Sequence, residues 1–441
     1  MQLMPMKFIK ERVIGKLGFM LCQRRKPSRE ELDFWLGSRA RRRLGNSRFI
    51  GVTGSAGKST CSSLLHHLLS ERYIVAASLI ENTPRVLARR LCQVERKDAF
   101  VVMEMSGHEA GVLDRSCALV QPEMGIVISV SNDHYANFRG IDNVIKEKST
   151  LVSRVAASGR VFINSDDPAV LGMAPLAQAK VITFGCSQGS DYQAQRVRLD
   201  DEGNLCFDCC YKSELVSFKL ALFGLHFLPS ALAAIACANQ CGIPLEVLKS
   251  KAESYTSLPG RCGLYQLMDG RTVICDTVKA PYSTLGLAIG ALDAFPRSRP
   301  RRIVLGNISD YPGAFGPKLR RIAVQALAVA DQLILHRPPA GVDRLIAEHG
   351  SDKVKVFDRV SDIQAFLRKN GTPNDVLLLK GSSVNHLESL LLPWLGRMPC
   401  DREPCGFKHS CFSCQYGFLM PGAGDFLKYH EYKNGLVRKV I

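Results

Sequence analysis

Along the chain, apolar positions follow two rhythms in turn. From residue 49, short unbroken runs rich in Val, Ile and Phe (FIGVTG, AFVVMEM, MGIVISV, RVFIN, KVITFG) are separated by stretches with helical spacing such as KSTCSSLLHHLLSE. Apolar runs of roughly 4–8 residues without alternation are the pattern of strands covered on both faces. Strands alternating with helices predict a mostly parallel sheet with helices on either side. Near 190–220 the pattern changes to YQAQRVRL, LCFDCCY and LVSFKLAL, which predict an antiparallel insertion, and the helix LPSALAAIACANQC follows. SLPGRCG, at 257–263, reads as a hinge. After it the alternation restarts with TVICDT, RRIVLGN, QLILH and DVLLLKG.

This pattern predicts an α/β protein, a P-loop domain on a mostly parallel sheet followed by a second, Rossmann-like α/β domain. The expected divisions are a basic N-terminal segment at 1–48, a nucleotide-binding domain at 49–257, a C-terminal α/β domain at 258–397 and a cysteine-rich tail at 398–441. Two or three domains also suit 441 residues at roughly 100–200 per domain. In the N-terminal segment, Phe8, Ile9, Val13, Leu17 and Leu21 recur at helical spacing among Lys and Arg. Such a helix packs on its own domain or lies on a membrane surface or partner. No run approaches the ~20 apolar residues of a membrane span.

Charge narrows the partners. The net charge is +17, which favours anionic ligands. The basic clusters QRRKPSR, RARRR and RSRPRR carry no interleaved aromatics, so a nucleic-acid groove is not expected. Of the 16 cysteines, Cys237, Cys241 and Cys275 sit in apolar runs and read as small buried hydrophobes. With no secretory signal in the first residues, a cytoplasmic protein with reduced thiols is expected.

TGSAGKST, between strand and helix, is the candidate phosphate site. Gly54, Ser55, Ala56 and Gly57 would curl amides toward an anion, with Thr60 in the helix that follows. Lys58 would reach the terminal phosphates, and Ser59 would ligate Mg²⁺. Val52 occupies the first glycine position of the longer P-loop pattern, so the match is GxxGK[ST]. Glu104 ends a buried strand, where a carboxylate suits Mg²⁺. His134, in a polar loop after the next strand, stands where a second metal ligand would lie. Lys148 lies on a predicted helix, and spacing alone gives it no role. A P-loop by itself is compatible with a kinase, a motor, a GTPase or a ligase.

Taken in order, TGSAGKST, MEMSGHEAG, NDHYANFRGIDNVIKEKS, INSDDP, GLHFLPSALAA, LPGR and a strand ending in Asp276 resemble the motifs of the Mur ligases, over about residues 48–395. The likeness is greatest to the ligase that completes the muramyl pentapeptide, and the Mur-like half of cyanophycin synthetase is also similar. The resemblance implies an ATP-dependent, ADP-forming ligase that phosphorylates a carboxylate and passes the acyl group to an amine. It implies that Lys58 and Ser59 serve the phosphates and Glu104 the magnesium. By the same likeness His134 is a second metal ligand, and Lys148 is a lysine that many members carbamylate into a metal ligand. It further places Arg261 on the ATP phosphates, Asp276 on the ribose, and Asn164 and Asp167 near the nucleotide. The substrates so implied are a small-molecule or peptide carboxylate, expected to be anionic, and an amine.

The chain departs from that pattern in four places. Ser55 and Ala56 replace the usual Thr-Asn pair of the loop. HFLPS replaces HNxxN, putting Phe227 and Ser230 where asparagines contact adenine. VKAP, Val278 to Pro281, replaces Tyr-Asn-Ala-Asn, so the amine is not expected to be the usual dipeptide. Only 48 residues precede the loop strand, so a UDP-muramyl substrate is expected only if another protein supplies its binding domain. A P-loop phosphotransferase or NTPase, and a nucleotide-binding pseudo-ligase, remain the alternative readings. In the tail, Cys400, Cys405, Cys411 and Cys414 have the spacing C-x4-C-x5-C-x2-C, suited to zinc or to an iron–sulfur cluster.

Overall fold

The computed structural model describes residues 6–23, 26–80, 82–131, 138, 140–267, 269–311, 313–395, 405–406, 411 and 437–439. Their strands form two sheets. In the first, β1 (Arg48–Thr53), β2 (Val75–Ser78), β3 (Phe100–Glu104), β4 (Met124–Val127), β5 (Arg160–Asn164) and β6 (Lys180–Gly185) run parallel in the order β2-β3-β1-β4-β5-β6. β7 (Tyr192–Leu199) pairs parallel with β6, and β8 (Leu205–Tyr211) and β9 (Glu214–Leu220) then extend the sheet antiparallel.

The apolar runs form strands because both faces of each are covered. Side chains alternate across the sheet. Ile50 and Val52 of β1, with Phe100 and Val102 of β3, join one core, while Phe49, Val101 and Met103 join the other. The first core is closed by α3 (Lys58–Leu69) and the helix Leu228–Gln240, the second by α5 (Val112–Val120) and α6 (Ile141–Arg154). β9 instead alternates buried and exposed, as expected of an antiparallel strand with one wet face.

The N-terminal segment packs on this lobe through α1 (Met6–Gln23) and α2 (Arg29–Arg42). Phe19 meets Trp35 edge-on at 6.0 Å, and a side chain at Gly37 would lie 2.8 Å from Ala88 Cα of α4 (Pro84–Leu91). Asp33, buried on α2, accepts from Arg85 and Arg89 of α4 at 2.8 and 2.9 Å. Arg41 Nε donates to Val120 O (2.6 Å), capping the C-terminus of α5. Part of the basic RARRR cluster is thus structural. Among the described residues no helix is long and apolar enough to cross a membrane.

In the second sheet, β10 (Gly263–Gln266) is antiparallel to β11 (Thr272–Asp276). β11 then runs parallel with β15 (Val376–Lys380), β12 (Arg301–Leu305), β13 (Gln332–His336) and β14 (Val354–Phe357), in that order. Phe223, after β9, stacks on Phe295 at 5.2 Å and joins the two lobes. β16 (Val437–Lys439) returns to the first lobe and pairs antiparallel with β2, on the edge of that sheet.

Candidate active site in the cleft between the two sheets

The P-loop leaves the C-terminal end of β1, between β3 and β4, where parallel strands of an open sheet place their ligands. Gly57 N-caps α3 with φ +80, a conformation that favours glycine, and offers no side-chain cap. The first amides of α3 are therefore left for a ligand. The loop is tied from β4: Ser55 N–H donates to Ser129 O (2.9 Å), Ala56 N–H to Ser129 Oγ (3.1 Å), and Ser131 N–H to Ser55 Oγ (2.9 Å). Ser55 and Ala56 thus replace the usual pair without loosening the loop. Lys58 Nζ donates back to Gly54 O at 2.5 Å.

A cavity of about 360 Å³ opens over this loop. The first lobe contributes Ser55 to Thr60, Glu104 and Ser129 to its wall; the second contributes Arg261, Asp276, Lys279 and Lys380. Glu104 is buried at the end of β3, accepting from Ile80 N–H (2.8 Å) and Asn82 Nδ2 (2.7 Å). Beneath it, burial and the Glu104 carboxylate push the Cys61 thiol far up, which leaves it unreactive. Arg261 follows Gly260, whose φ is +72, and its Nε is buried with no hydrogen-bond partner among the described residues. A buried cationic donor of that kind suits an anion. Asp276, at the end of β11, pairs with Lys380 Nζ at 2.7 Å, and the same Nζ donates to Lys279 O (2.5 Å).

HFLPS lies at the same cavity. Ser230 Oγ donates to Gly57 O (3.1 Å) and fills the space beside it, since a Cβ on Gly57 would stand 2.2 Å from that oxygen. Ser230 therefore braces the P-loop. His226 and Phe227 present tilted rings 4.3 Å apart. Burial lowers the His226 pKa to about 4, with Asp276 opposing and Lys380 adding to the shift, so its ring is neutral at neutral pH.

Other sequence candidates lie elsewhere. Asn164 is buried under the β4 loop, its Nδ2 donating to Ile128 O (2.8 Å). Asp167 accepts from Val130 N–H (2.7 Å) and caps the helical turn Pro168–Leu171. Neither lines the cavity; both hold the strand ends behind it. Lys148 is buried on α6 and is also outside the cavity wall. His134, Cys400 and Cys414 lie outside the described residues. Cys405 and Cys411 stand against the two ring nitrogens of His386, at 3.2 and 3.5 Å. On β8, Cys206 and Cys209 fall on opposite faces of the sheet and do not converge on a common ligand. A wider depression of about 660 Å³ by β8 and β9 is lined in part by charges paired with each other, Arg196 with Asp208 and Lys219 with Asp200.

His226, Lys279 and Lys380 were not singled out by sequence reasoning. Lys380 did leave a signal, a lone cation closing the apolar run VLLLK. His226 and Lys279 left none outside the departures HFLPS and VKAP.

Residues 52–238 match the family described as the Mur ligase middle domain. The UDP-N-acetylmuramoyl-tripeptide–D-alanyl-D-alanine ligase of Mycobacterium bovis is 27% identical over 367 residues, covering 77% of this chain and 71% of that one. The UDP-N-acetylmuramate–L-alanine ligase of an Anaeromyxobacter species is 26% identical, over 76% of this chain and 72% of that one. Among solved structures, MurF ligase from Thermotoga maritima in complex with ADP superposes with TM-score 0.73 at 21% identity, covering 83% of this chain and 86% of that one. The two-sheet fold, the phosphate loop at the switch between its strands and these matches agree: residues 52–238 form a Mur ligase middle domain, and over most of its length the chain is similar to Mur ligases.

Proposed function

We propose that this protein is an ATP-dependent, ADP-forming ligase that joins a carboxylic acid to an amine. One observation carries the reading: the phosphate loop of the first lobe and the cations Arg261, Lys279 and Lys380 of the second line one cavity. The acid's carboxylate takes the γ-phosphoryl group, giving a mixed anhydride and ADP. The amine then attacks the acyl carbon, releasing phosphate and a proton.

In this reading the amides at the start of α3, with Lys58 and Arg261, hold the phosphates and spread the charge that develops during transfer. Asp276, anchored by Lys380, takes the ribose. His226, uncharged, shares with Phe227 the job of packing against the base, where the HNxxN pattern would place asparagines. Ser59 and Glu104, oxygen donors at the cavity wall, fit Mg²⁺. That ion supplies neutralising charge on the phosphates. His134 and a carbamylated Lys148 are the proposed further ligands. The hinge at Leu258–Arg261 lets the lobes close and exclude water from the anhydride.

The acid is proposed to be anionic, given the +17 net charge, and the amine to differ from the usual dipeptide because VKAP shapes its approach. Contact of α1 with a membrane surface, through the exposed Ile14 and Leu17, belongs to the same proposal, as does a cytoplasmic location. For the tail, the proposal is zinc or an iron–sulfur cluster on Cys400, Cys405, Cys411 and Cys414. The catalytic reading is tested by incubating the protein with ATP, Mg²⁺ and panels of acids and amines. ADP and phosphate should form only when both partners are present. Release of AMP, or a stable phosphorylated product, overturns it.

A further inference from the structure

The loop after β15 carries His386 with φ +52, a left-handed conformation costly for a side-chain-bearing residue. Its ring stands between two tail thiols. Cys411 Sγ lies 3.5 Å from Nδ1 and Cys405 Sγ 3.2 Å from Nε2. Glu388 is fully buried beside it, in the turn of helix Leu387–Leu395. Its Oε1 accepts from Cys411 N–H (2.9 Å), but Oε2 is buried with no hydrogen-bond partner among the described residues. A carboxylate in that position is expensive unless a cation shares it. The ligand atoms of His386, Glu388 and Cys411 all lie within 4.8 Å of one another.

We propose that His386, Glu388 and Cys411 hold a divalent metal ion, and that the ion pins the tail to the second lobe. The mixed nitrogen, oxygen and sulfur donors favour zinc. With Zn–S near 2.3 Å and Zn–N near 2.0 Å, tetrahedral ligands stand about 3.5 Å apart, the spacing seen between Cys411 and His386. Binding costs a proton from Cys411, which becomes a thiolate, and leaves His386 neutral with its second N–H donated to Cys405. Cys405 is thus a positioning residue, fixing the ring and its tautomer. The ion's charge answers the thiolate and the buried carboxylate together. This inference rests on the tail being a metal-holding element, but it names a different ligand set from the four thiolates, two of them supplied by the lobe.

The test uses the full chain, stripped with a chelator, titrated with Zn²⁺ alone and assayed for bound metal by mass spectrometry. The wild type should hold about one zinc per chain. His386→Asn, Glu388→Gln and Cys411→Ser should each weaken binding at least about tenfold, and Cys405→Ser by less than they do. Cobalt in place of zinc should give a thiolate charge-transfer band that Cys411→Ser removes. Should Cys411→Ser fail to fold, His386→Asn, a near-isosteric change at a half-buried position, carries the test. A wild type that takes no zinc overturns the inference together with the tail's role as a metal element. Zinc that survives His386→Asn and Glu388→Gln but leaves with Cys400→Ser or Cys414→Ser overturns this ligand set and restores the four thiolates. Neither result bears on the ligase reading, which ADP formation reports separately.

Discussion

At the phosphate end the first lobe meets the cavity largely with main chain, a glycine-bounded loop and the free amides of α3, beside the Glu104 carboxylate held by Ile80 and Asn82. The second meets it with side chains, namely Arg261, Lys279, Lys380 and Asp276, carried on a hinge and on the ends of β11 and β15. A site made of backbone is fixed by the fold around it and stays fixed when the lobes part. A site made of long cations depends on pairing and on how the lobes meet. On the proposed reading, grip on the phosphates falls to the first lobe and closure to the second.

Four experiments would break or sharpen that contrast. Lys58→Ala, which removes the one cationic side chain of the phosphate loop, should lower ATP turnover at least about 10³-fold while circular dichroism stays unchanged. A normal rate would remove the P-loop from the chemistry. Lys380→Met leaves Asp276 without its partner in a mostly buried place, and should cost about 3–5 kcal/mol of stability in urea unfolding. Adding Asp276→Leu should return most of it; a double variant as weak as the single would show that the pair is not what holds this wall.

The seam between the lobes should respond to acid. His226 is neutral in the folded protein down to about pH 4, whereas in the unfolded chain it takes a proton below about pH 6.5. The unfolded state then binds more protons, so stability falls as pH drops from about 6.5 to 4, by about 3 kcal/mol. His226→Gln should flatten that slope in chemical denaturation, and an unchanged slope would mean that the ring is not held as described. The smallest effect is expected from Gly224→Ala. Gly224 has φ +115, and a Cβ there would lie 2.5 Å from His226 Cε1. A loss of about 1–2 kcal/mol and a raised KM for ATP at nearly unchanged kcat should follow.

How much of this was readable beforehand divides along the same line. The runs FIGVTG and AFVVMEM fixed β1 and β3, because strands covered on both faces have no freedom to alternate. TGSAGKST was legible because a phosphate loop is local: glycines, lysine and helix start lie within one turn of chain. The role of Ser230 was hidden, since its brace to Gly57 joins the starts of two helices 173 residues apart in sequence and only the fold brings them together. Lys380 and Asp276 are far apart in sequence and meet because β11 and β15 are neighbours in parallel register. Asn164 and Asp167 stand by the right strand, but their side chains turn to the backbone of the β4 loop, a direction no spacing reveals. Glu388 lay inside an apolar run and gave no sign that it would face a thiol from the tail.

The pairing of β16 with β2 has a consequence of its own. β2 would otherwise border the first sheet with a row of bare peptide groups, a template for any passing strand. By hemming that border with its own last residues, the chain guards against self-association, so a version trimmed after the second lobe should be prone to clump even with its chemistry intact.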